Sequence, residues 1–146
     1  MEVKNIFLIE DDEFFATTFK KRLQKIGEFN VQHFSNCESA LKDLLKIKPD
    51  IIFLDHLLDG INGVDAVHLF KENHPKGEIV IVSGQNDPEV LKKADQAGAS
   101  KYFRKDVLLM KNAEGFIKDF EHKEEKILKR FWSKFSKEYW TKNKLD

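Results

Sequence analysis

Short apolar runs alternate with amphipathic segments along most of the chain. Three of the runs are rich in β-branched and aromatic residues and end in turn or acidic residues, which is typical of strands buried on both faces of a parallel sheet. They lie within Val3–Ile9, Asp50–Asp55 and Glu78–Val82. Two weaker segments predict a more polar edge strand at Asn30–Phe34 and a brief strand at Ser100–Phe103.

Segments with apolar residues at helical spacing separate these strands. Gly27 predicts the end of the first helix as a C-cap, and Ser35 with Glu38 predicts a capping box at the start of the second. Asp87 followed by Pro88 predicts the start of the fourth helix, with the aspartate as its N-cap. Strands that alternate with helices in this way indicate an α/β fold, (βα)5, with a doubly wound, parallel five-stranded sheet.

The composition excludes several classes of protein. The chain has 146 residues, enough for one domain and a short appendage. Lys+Arg and Asp+Glu balance at 25 each, so no overall charge directs the molecule to nucleic acid, and no DNA-binding domain is expected. The single cysteine, Cys37, excludes an internal disulfide. Because the sequence shows neither a signal peptide nor a run of about 18 apolar residues, we expect a cytoplasmic protein without a membrane span.

Polar residues at the ends of the predicted strands can act together. Glu10 and Asp11 follow the first strand, Asp55 ends the third, Ser83 follows the fourth and Lys105 follows the fifth. Parallel strands end at one edge of the sheet, where α/β proteins bind ligands. Two carboxylates about 4 Å apart repel by roughly 4 kcal/mol at an effective dielectric of about 20, so three acids in one crevice favour a bound cation. Their oxygens suit Mg²⁺, which also takes phosphate oxygens as ligands.

The same residues suggest phosphoryl chemistry. Lys105 would place a positive charge on phosphoryl oxygens, Ser83 would donate a hydrogen bond, and Asp55 is a possible nucleophile that forms an acyl phosphate. Each of them, taken alone, also fits a structural role at a strand end or a helix start. Asp12 adds a further carboxylate, so the spacing leaves open which acids face the metal. His56 is expected to point away from Asp55 into solvent.

Together these motifs resemble the receiver domains of two-component response regulators. The resemblance covers roughly Val3–Phe120 and rests on Leu8–Asp12, Ile52–Asp55 with Gly63, Val82–Gly84 and Gly98–Lys105. It implies a flavodoxin-like strand order, 2-1-3-4-5. It also implies a single-domain response regulator, which is a signalling domain and not an enzyme beyond its self-catalysed phosphotransfer and dephosphorylation.

The resemblance further implies roles for particular residues. Glu10, Asp11 and Asp55 would hold Mg²⁺ together with the backbone carbonyl of Leu57. Asp55 would accept a phosphoryl group from a histidine kinase or a phosphotransfer protein, and Lys105 would bind the phosphate.

The resemblance also implies a conformational switch. Ser83 would supply the switch hydroxyl, and Tyr102 would be the aromatic residue that changes rotamer when Ser83 is drawn toward the phosphate. Two positions depart from the family. Asp106 stands where a proline usually follows the lysine through a cis peptide bond, so we expect the next loop to take a different path. Asp59 also replaces a usual proline.

Two other functions are alternatives to a phosphoacceptor that signals to a downstream protein target. A phosphatase of the haloacid dehalogenase type also uses a strand-end aspartate with Mg²⁺, but it needs an acid two residues later, where this chain has Leu57. A receiver-like module that binds partners without phosphorylation is disfavoured because every active-site position holds a competent residue.

The C-terminal segment exceeds a minimal receiver. We expect a receiver domain over residues 1–120 and a helical extension over 121–146. One continuous helix is predicted to carry an apolar band formed by Phe116, Ile117, Phe120, Ile127, Leu128, Phe131, Trp132, Phe135 and Tyr139. The opposite face is basic. An aromatic band suits helix-to-protein packing better than a membrane or a nucleic-acid groove, so we expect the extension to mediate a homodimer or to dock a partner.

Overall fold

The computed structural model describes residues 2–58 and 60–142, without the side chains of Glu124 and of residues 138–142. The predicted turn residue Asp59 and the side chain of Tyr139 therefore lie outside the described residues.

Five parallel strands form one sheet in the order β2-β1-β3-β4-β5, which confirms the predicted fold class and strand order. The strands are β1 (Asn5–Ile9), β2 (Asn30–Phe34), β3 (Ile51–Asp55), β4 (Glu78–Ser83) and β5 (Lys101–Arg104). The strand that is buried at every residue, β3, lies at the centre of the sheet, where helices cover both faces and strands pair along both edges.

Helices cover both faces of the sheet, as a doubly wound fold requires. They are α1 (Glu13–Ile26), α2 (Cys37–Leu44), α3 (Gly63–Asn73), α4 (Pro88–Ala97) and α5 (Leu109–Lys142). One core layer lies between the sheet and α2, α3 and α4, and the other lies between the sheet and α1 and α5. Within residues 2–58 and 60–142, no helix combines the length and the apolar character that crossing a bilayer would need.

Alternate residues of each central strand enter opposite core layers. In β3, Phe53 packs into the layer under α1 and α5, whereas Ile52 and Leu54 enter the other layer. The ring of Phe53 meets the ring of Phe19 from α1 edge-on, with centroids 5.2 Å apart. Each such side chain contributes roughly 2 kcal/mol when fully buried. This two-sided burial explains why the strands are continuous apolar runs.

One predicted helix boundary needs correction. Ser35 is not the N-cap of α2; Asn36 is, and its side chain accepts a hydrogen bond from Ser39 N at 2.8 Å. The amide of asparagine competes well for this position, so the capping box with Glu38 does not form. Gly27 is the C-cap of α1, as predicted, and its backbone is extended with φ −170°. A Cβ at this position would lie 2.6 Å from the ring of Phe29, so a larger residue would force that ring to move.

The other predicted caps are confirmed. Asp87 accepts a hydrogen bond from Glu89 N at 2.9 Å, and Pro88 is the first residue of α4. Gly98 ends α4 with φ +106°, a left-handed conformation that favours glycine.

The register of the sheet brings the strand ends together. Ile9 pairs with Leu54, so Glu10 lies beside Asp55, and Ser83 pairs with Arg104, next to Lys105. The loop between β3 and α3 closes this edge, and Gly63 makes the close approach possible. A Cβ on Gly63 would lie 2.7 Å from the Asp55 carbonyl oxygen and 2.8 Å from His56 Cα.

We expect Gly63→Ala to destabilise the domain by about 1–3 kcal/mol, because the added carbon would force the backbone of the β3–α3 loop apart. Chemical denaturation followed by circular dichroism measures this loss. Gly115→Ala is the matched control, since nothing lies within 4 Å of a Cβ at that helical position. It should be neutral or stabilise the helix by up to about 1 kcal/mol. Equal stability of the Gly63→Ala variant and the parent chain would contradict the steric argument.

Candidate functional site

Three carboxylates meet at the carboxyl edge of the sheet. One ligand oxygen from each of Glu10, Asp11 and Asp55 lies within 4.8 Å of the others. Glu10 and Asp55 are buried, at 2% and 6% exposure, while Asp11 is exposed at the mouth of the crevice. The structure thus brings together the three acids that the sequence singled out.

Lys105 lies against these acids. Its Nζ donates to Glu10 Oε2 at 2.6 Å and lies 3.5 Å from Asp55 Oδ2. The ammonium group also lies 4.4 Å from the ring centroid of Phe15, a favourable cation–π contact that the sequence analysis did not foresee. The backbone N–H of Lys105 donates to the carbonyl of Ser83 at 2.8 Å, which fixes where the side chain starts.

Burial and pairing shift the ionisation of both groups. Desolvation raises the pKa of Glu10 to about 7, against the hydrogen bonds from Lys105 and the backbone of Asp12, which lower it. Desolvation alone would lower the pKa of Lys105, but the hydrogen bond to Glu10 and the charge of Asp55 outweigh it and leave that pKa raised. Lys105 is therefore a cation at neutral pH.

The structure distinguishes Asp12 from the other acids. Asp12 is the N-cap of α1, and its Oδ1 accepts a hydrogen bond from Phe15 N at 3.0 Å. That interaction satisfies a helix donor, so its carboxylate is not one of the three that cluster. Of residues 10–12, Glu10 and Asp11 are therefore the two whose carboxylates lie beside Asp55.

The backbone around Asp55 is held by its own loop. Asp55 Oδ1 accepts a hydrogen bond from Leu57 N at 3.1 Å, so the backbone of Leu57 borders the acid cluster. The role predicted for the Leu57 carbonyl stays a prediction. His56 is not simply solvated as expected, because its Nδ1 is buried and has no hydrogen-bond partner among the described residues.

The two predicted switch residues are joined through Gln85. Ser83 is fully buried, and its Oγ accepts a hydrogen bond from Gln85 N at 3.2 Å. The hydroxyl of half-buried Tyr102 donates to Gln85 O at 2.8 Å. No sequence motif predicts this link, because Gln85 contributes only backbone atoms.

The loop after Lys105 is short and self-bonded. No cis peptide bond occurs over residues 2–58 and 60–142, so the bond before Asp106 is trans. Asp106 accepts hydrogen bonds from Leu108 N through its side chain and from Leu109 N through its carbonyl, at 2.9 and 3.1 Å. Helix α5 consequently begins at Leu109.

The cluster is chemically suited to a hard cation. All of its side-chain ligands are carboxylate oxygens, and one of them reaches the surface. Mg²⁺ prefers such ligands, whereas zinc sites usually use cysteine or histidine. The residues present therefore fit Mg²⁺.

The comparisons with known proteins agree with this geometry. The family model of the response regulator receiver domain matches residues 6–113. The chain therefore belongs to the response regulator receiver domain family of two-component systems. Receiver domains are signalling domains and not classical enzymes, and they bind Mg²⁺ at an acidic pocket.

Two relatives from Thermotoga maritima illustrate the family. The chain is 24% identical to chemotaxis protein CheY over 102 residues, covering 70% of this chain and 85% of that protein. It is 30% identical to a cyclic di-GMP phosphodiesterase over 104 residues, but these cover 71% of this chain and only 27% of the relative. The chain thus spans about a quarter of the phosphodiesterase.

Solved structures share the fold. A CheY-like response regulator receiver domain protein from Methanospirillum hungatei JF-1 superimposes with a TM-score of 0.77 at 19% identity. The match covers 86% of this chain and 99% of that chain.

The raised pKa of Glu10 predicts a pH dependence. Its folded-state pKa, about 7, exceeds its ordinary value of 4.5. Glu10 therefore favours folding fully below about pH 4.5, and this contribution is lost as the pH rises through about 7. We expect Glu10→Gln to gain stability relative to the parent chain between these limits, by up to about 1.4 kcal/mol for each unit of pKa shift.

Urea unfolding at several pH values in the presence of EDTA would measure this difference. Glu72→Gln, an exposed position of α3, is the matched control and should follow the parent chain. A stability difference between Glu10→Gln and the parent that stays constant with pH would show that burial does not perturb this carboxyl.

Proposed function

We propose that this chain is a phosphoacceptor that takes a phosphoryl group on Asp55 from a histidine kinase or a phosphotransfer protein. The observation that carries the proposal is the joint placement of three acids within 4.8 Å and of Lys105 Nζ 3.5 Å from Asp55 Oδ2. One carboxylate can then act as nucleophile while the others bind a cation. Acids with only a structural role at a strand end would not need to be buried beside a lysine.

The transfer exchanges one bond for another. An Asp55 oxygen attacks phosphorus, the bond from phosphorus to the imidazole nitrogen of the donor breaks, and an acyl phosphate forms. Glu10, Asp11, Asp55 and the carbonyl of Leu57 would hold Mg²⁺, which neutralises charge on the phosphoryl oxygens when it is bound. Lys105 offers those oxygens a second positive charge, and in its absence the incoming phosphoryl group would face only acids.

Apolar surface beside the site supports a protein donor. Phe14 and Val107 are 84% and 96% exposed, and they lie on the two elements that flank Lys105. Between these elements a cavity of about 470 Å³ is lined by Phe15, Thr18 and Lys105 among others. A donor protein that covers this surface would bring its phosphohistidine to the mouth of the crevice.

The alternative of a haloacid dehalogenase-type phosphatase lacks a general acid. The position two residues after Asp55 is Leu57, whose side chain is apolar and 53% exposed. The other alternative is a receiver-like module that works without phosphorylation, and a competent, complete site argues against it. We infer that residues 1–120 form the receiver and that residues 121–146 form an extension for protein contacts with a downstream target or a second copy.

Phosphorylation of Asp55 can be tested directly. Incubation with acetyl phosphate and Mg²⁺ should add one phosphoryl group, and peptide mapping by mass spectrometry should locate it on Asp55. Asp55→Asn should abolish the modification, because the amide is not a nucleophile. Asp12→Asn is the matched control: it makes the same acid-to-amide change, and asparagine caps a helix as well as aspartate does.

The Asp12→Asn variant should be phosphorylated like the parent chain, and chelation of Mg²⁺ should prevent the reaction in both. An equal level of phosphorylation in Asp55→Asn would show that another group is the acceptor and would refute the proposal.

The link through Gln85 predicts a coupled switch. When phosphate draws Ser83 Oγ away from Gln85 N, the loop that also anchors the Tyr102 hydroxyl should shift, with a coupling of typically 1–3 kcal/mol. Amide NMR spectra should therefore change over α4 and β5 on phosphorylation in the parent chain. In Ser83→Ala the change at Tyr102 should be lost while phosphorylation persists. An unchanged response of Tyr102 in that variant would contradict the coupling.

A further inference from the structure

Helix α5 is much longer than the sheet that it covers. Its 34 residues extend over about 50 Å, whereas a typical strand spans about 17–20 Å. Leu109, Ala113 and Ile117 are buried under the sheet, and Phe120 still packs against the same core layer. Residues 121–142, called here the overhang, run past the amino-terminal edge of the sheet, which is the base of the domain.

The overhang carries large exposed apolar side chains. Each of five is more than half exposed: Ile127, Leu128, Phe131, Trp132 and Phe135. At 100° per residue they continue the side of the helix that Ala113 and Ile117 bury higher up. The rings of Phe131 and Phe135 stack at 6.2 Å, and Trp132 meets both edge-on at 6.0 Å. They form one aromatic cluster on the overhang.

The apolar side of the overhang faces the space beneath the domain. A notch of about 520 Å³ lies between the helix and the loops at the base. Its helix wall is formed by Phe120, Lys123 and Ile127, and its other wall is mostly polar and charged, formed by Lys48, Pro49, Asp50, His74, Lys76 and Glu78. The overhang and the base thus form two walls of an open corner, and the apolar side of the overhang continues away from that corner.

The shape of this corner favours a helix over a membrane surface as the occupant. The cations Lys126, Lys129 and Arg130 lie away from the apolar cluster, a pattern also seen in helices that lie on anionic membranes. A flat bilayer that reached Ile127 would collide with the domain, however, because the domain projects from the same side of the helix. A rod about 10 Å across, such as another helix, fits beneath the base.

We propose that the occupant is the overhang of a second copy of this chain, paired antiparallel about a twofold axis near Phe131. In a parallel pair, each domain would overlap the helix of the other copy. The antiparallel arrangement puts each domain beyond the end of the other overhang, so the two aromatic clusters meet between the domains.

The surface available is adequate for such a dimer. Five half-exposed side chains at roughly 100 Å² each offer about 500 Å² per copy, and the notch adds to it, toward the ~800 Å² per partner of a stable interface. Lys126, Lys129 and Arg130 lie on the side of the helix away from the aromatic cluster, so pairing does not desolvate them. Pairing through the aromatic cluster should therefore persist at high salt.

Both tryptophans of the sequence, Trp132 and Trp140, lie in the overhang, so the native fluorescence reports on it alone. Sedimentation velocity should show a dimer of the full chain, and dilution should red-shift the emission as the dimer dissociates. Phe131→Ser with Phe135→Ser should raise the dissociation constant at least about 30-fold, as expected for two central aromatic anchors. Phe14→Ser, which changes an 84% exposed phenylalanine on α1, is the matched control and should leave the dimer intact.

Asp55→Asn should dimerise like the parent chain, since the notch and the acid cluster lie at opposite edges of the sheet; the dimer and the phosphoacceptor role can therefore fail separately. A full-length chain that is monomeric at several hundred micromolar would overturn the proposal, as would a dimer unaffected by the double substitution. A monomer whose fluorescence shifts to the blue only on vesicles of phosphatidylglycerol would assign the overhang to a lipid surface instead.

Discussion

The ion pair between Lys105 and the buried acids is the interaction on which the site depends. Lys105 is 95 residues from Glu10 in sequence, so the pair requires β1, β3, β4 and β5 to lie side by side in the sheet. A buried carboxylate without a partner is costly, and its partner here is supplied by the last strand of the sheet. The site therefore exists only in the folded sheet.

The ion pair cancels only part of the negative charge of the site. Three carboxylates against one ammonium give an excess of two negative charges when all are ionised. A divalent cation cancels that excess, and a phosphoryl group then enters a site with enough positive charge to hold its oxygens. Without the cation, burial instead raises the pKa of Glu10 to about 7. Glu10 thus tolerates protonation without the metal, and the three acids together favour a divalent cation when one is present.

Much of the fold and of the site follows from the sequence. The apolar runs that end near Glu10, Asp55 and Ser83 were enough to predict the strands, because a strand buried on both faces is apolar at nearly every position. Contacts that depend on three-dimensional neighbours were not predictable: the choice of Asp12 as a helix cap, the ring of Phe15 under Lys105 and the backbone link through Gln85. Ser35 and Asn36 are both good N-cap residues, so the sequence could not show that Asn36 is the one that caps α2.

The central claim is that these acids form a single cation site at the carboxyl edge of the sheet. Mn²⁺ occupies the same kind of oxygen site as Mg²⁺, and it broadens the NMR signals of nearby amides. A substoichiometric addition of Mn²⁺ should broaden Glu10, Asp11, Asp55 and Leu57 first, and Asp11→Ala should weaken that effect. Broadening centred on another acidic part of the surface, or unchanged in Asp11→Ala, would contradict the account.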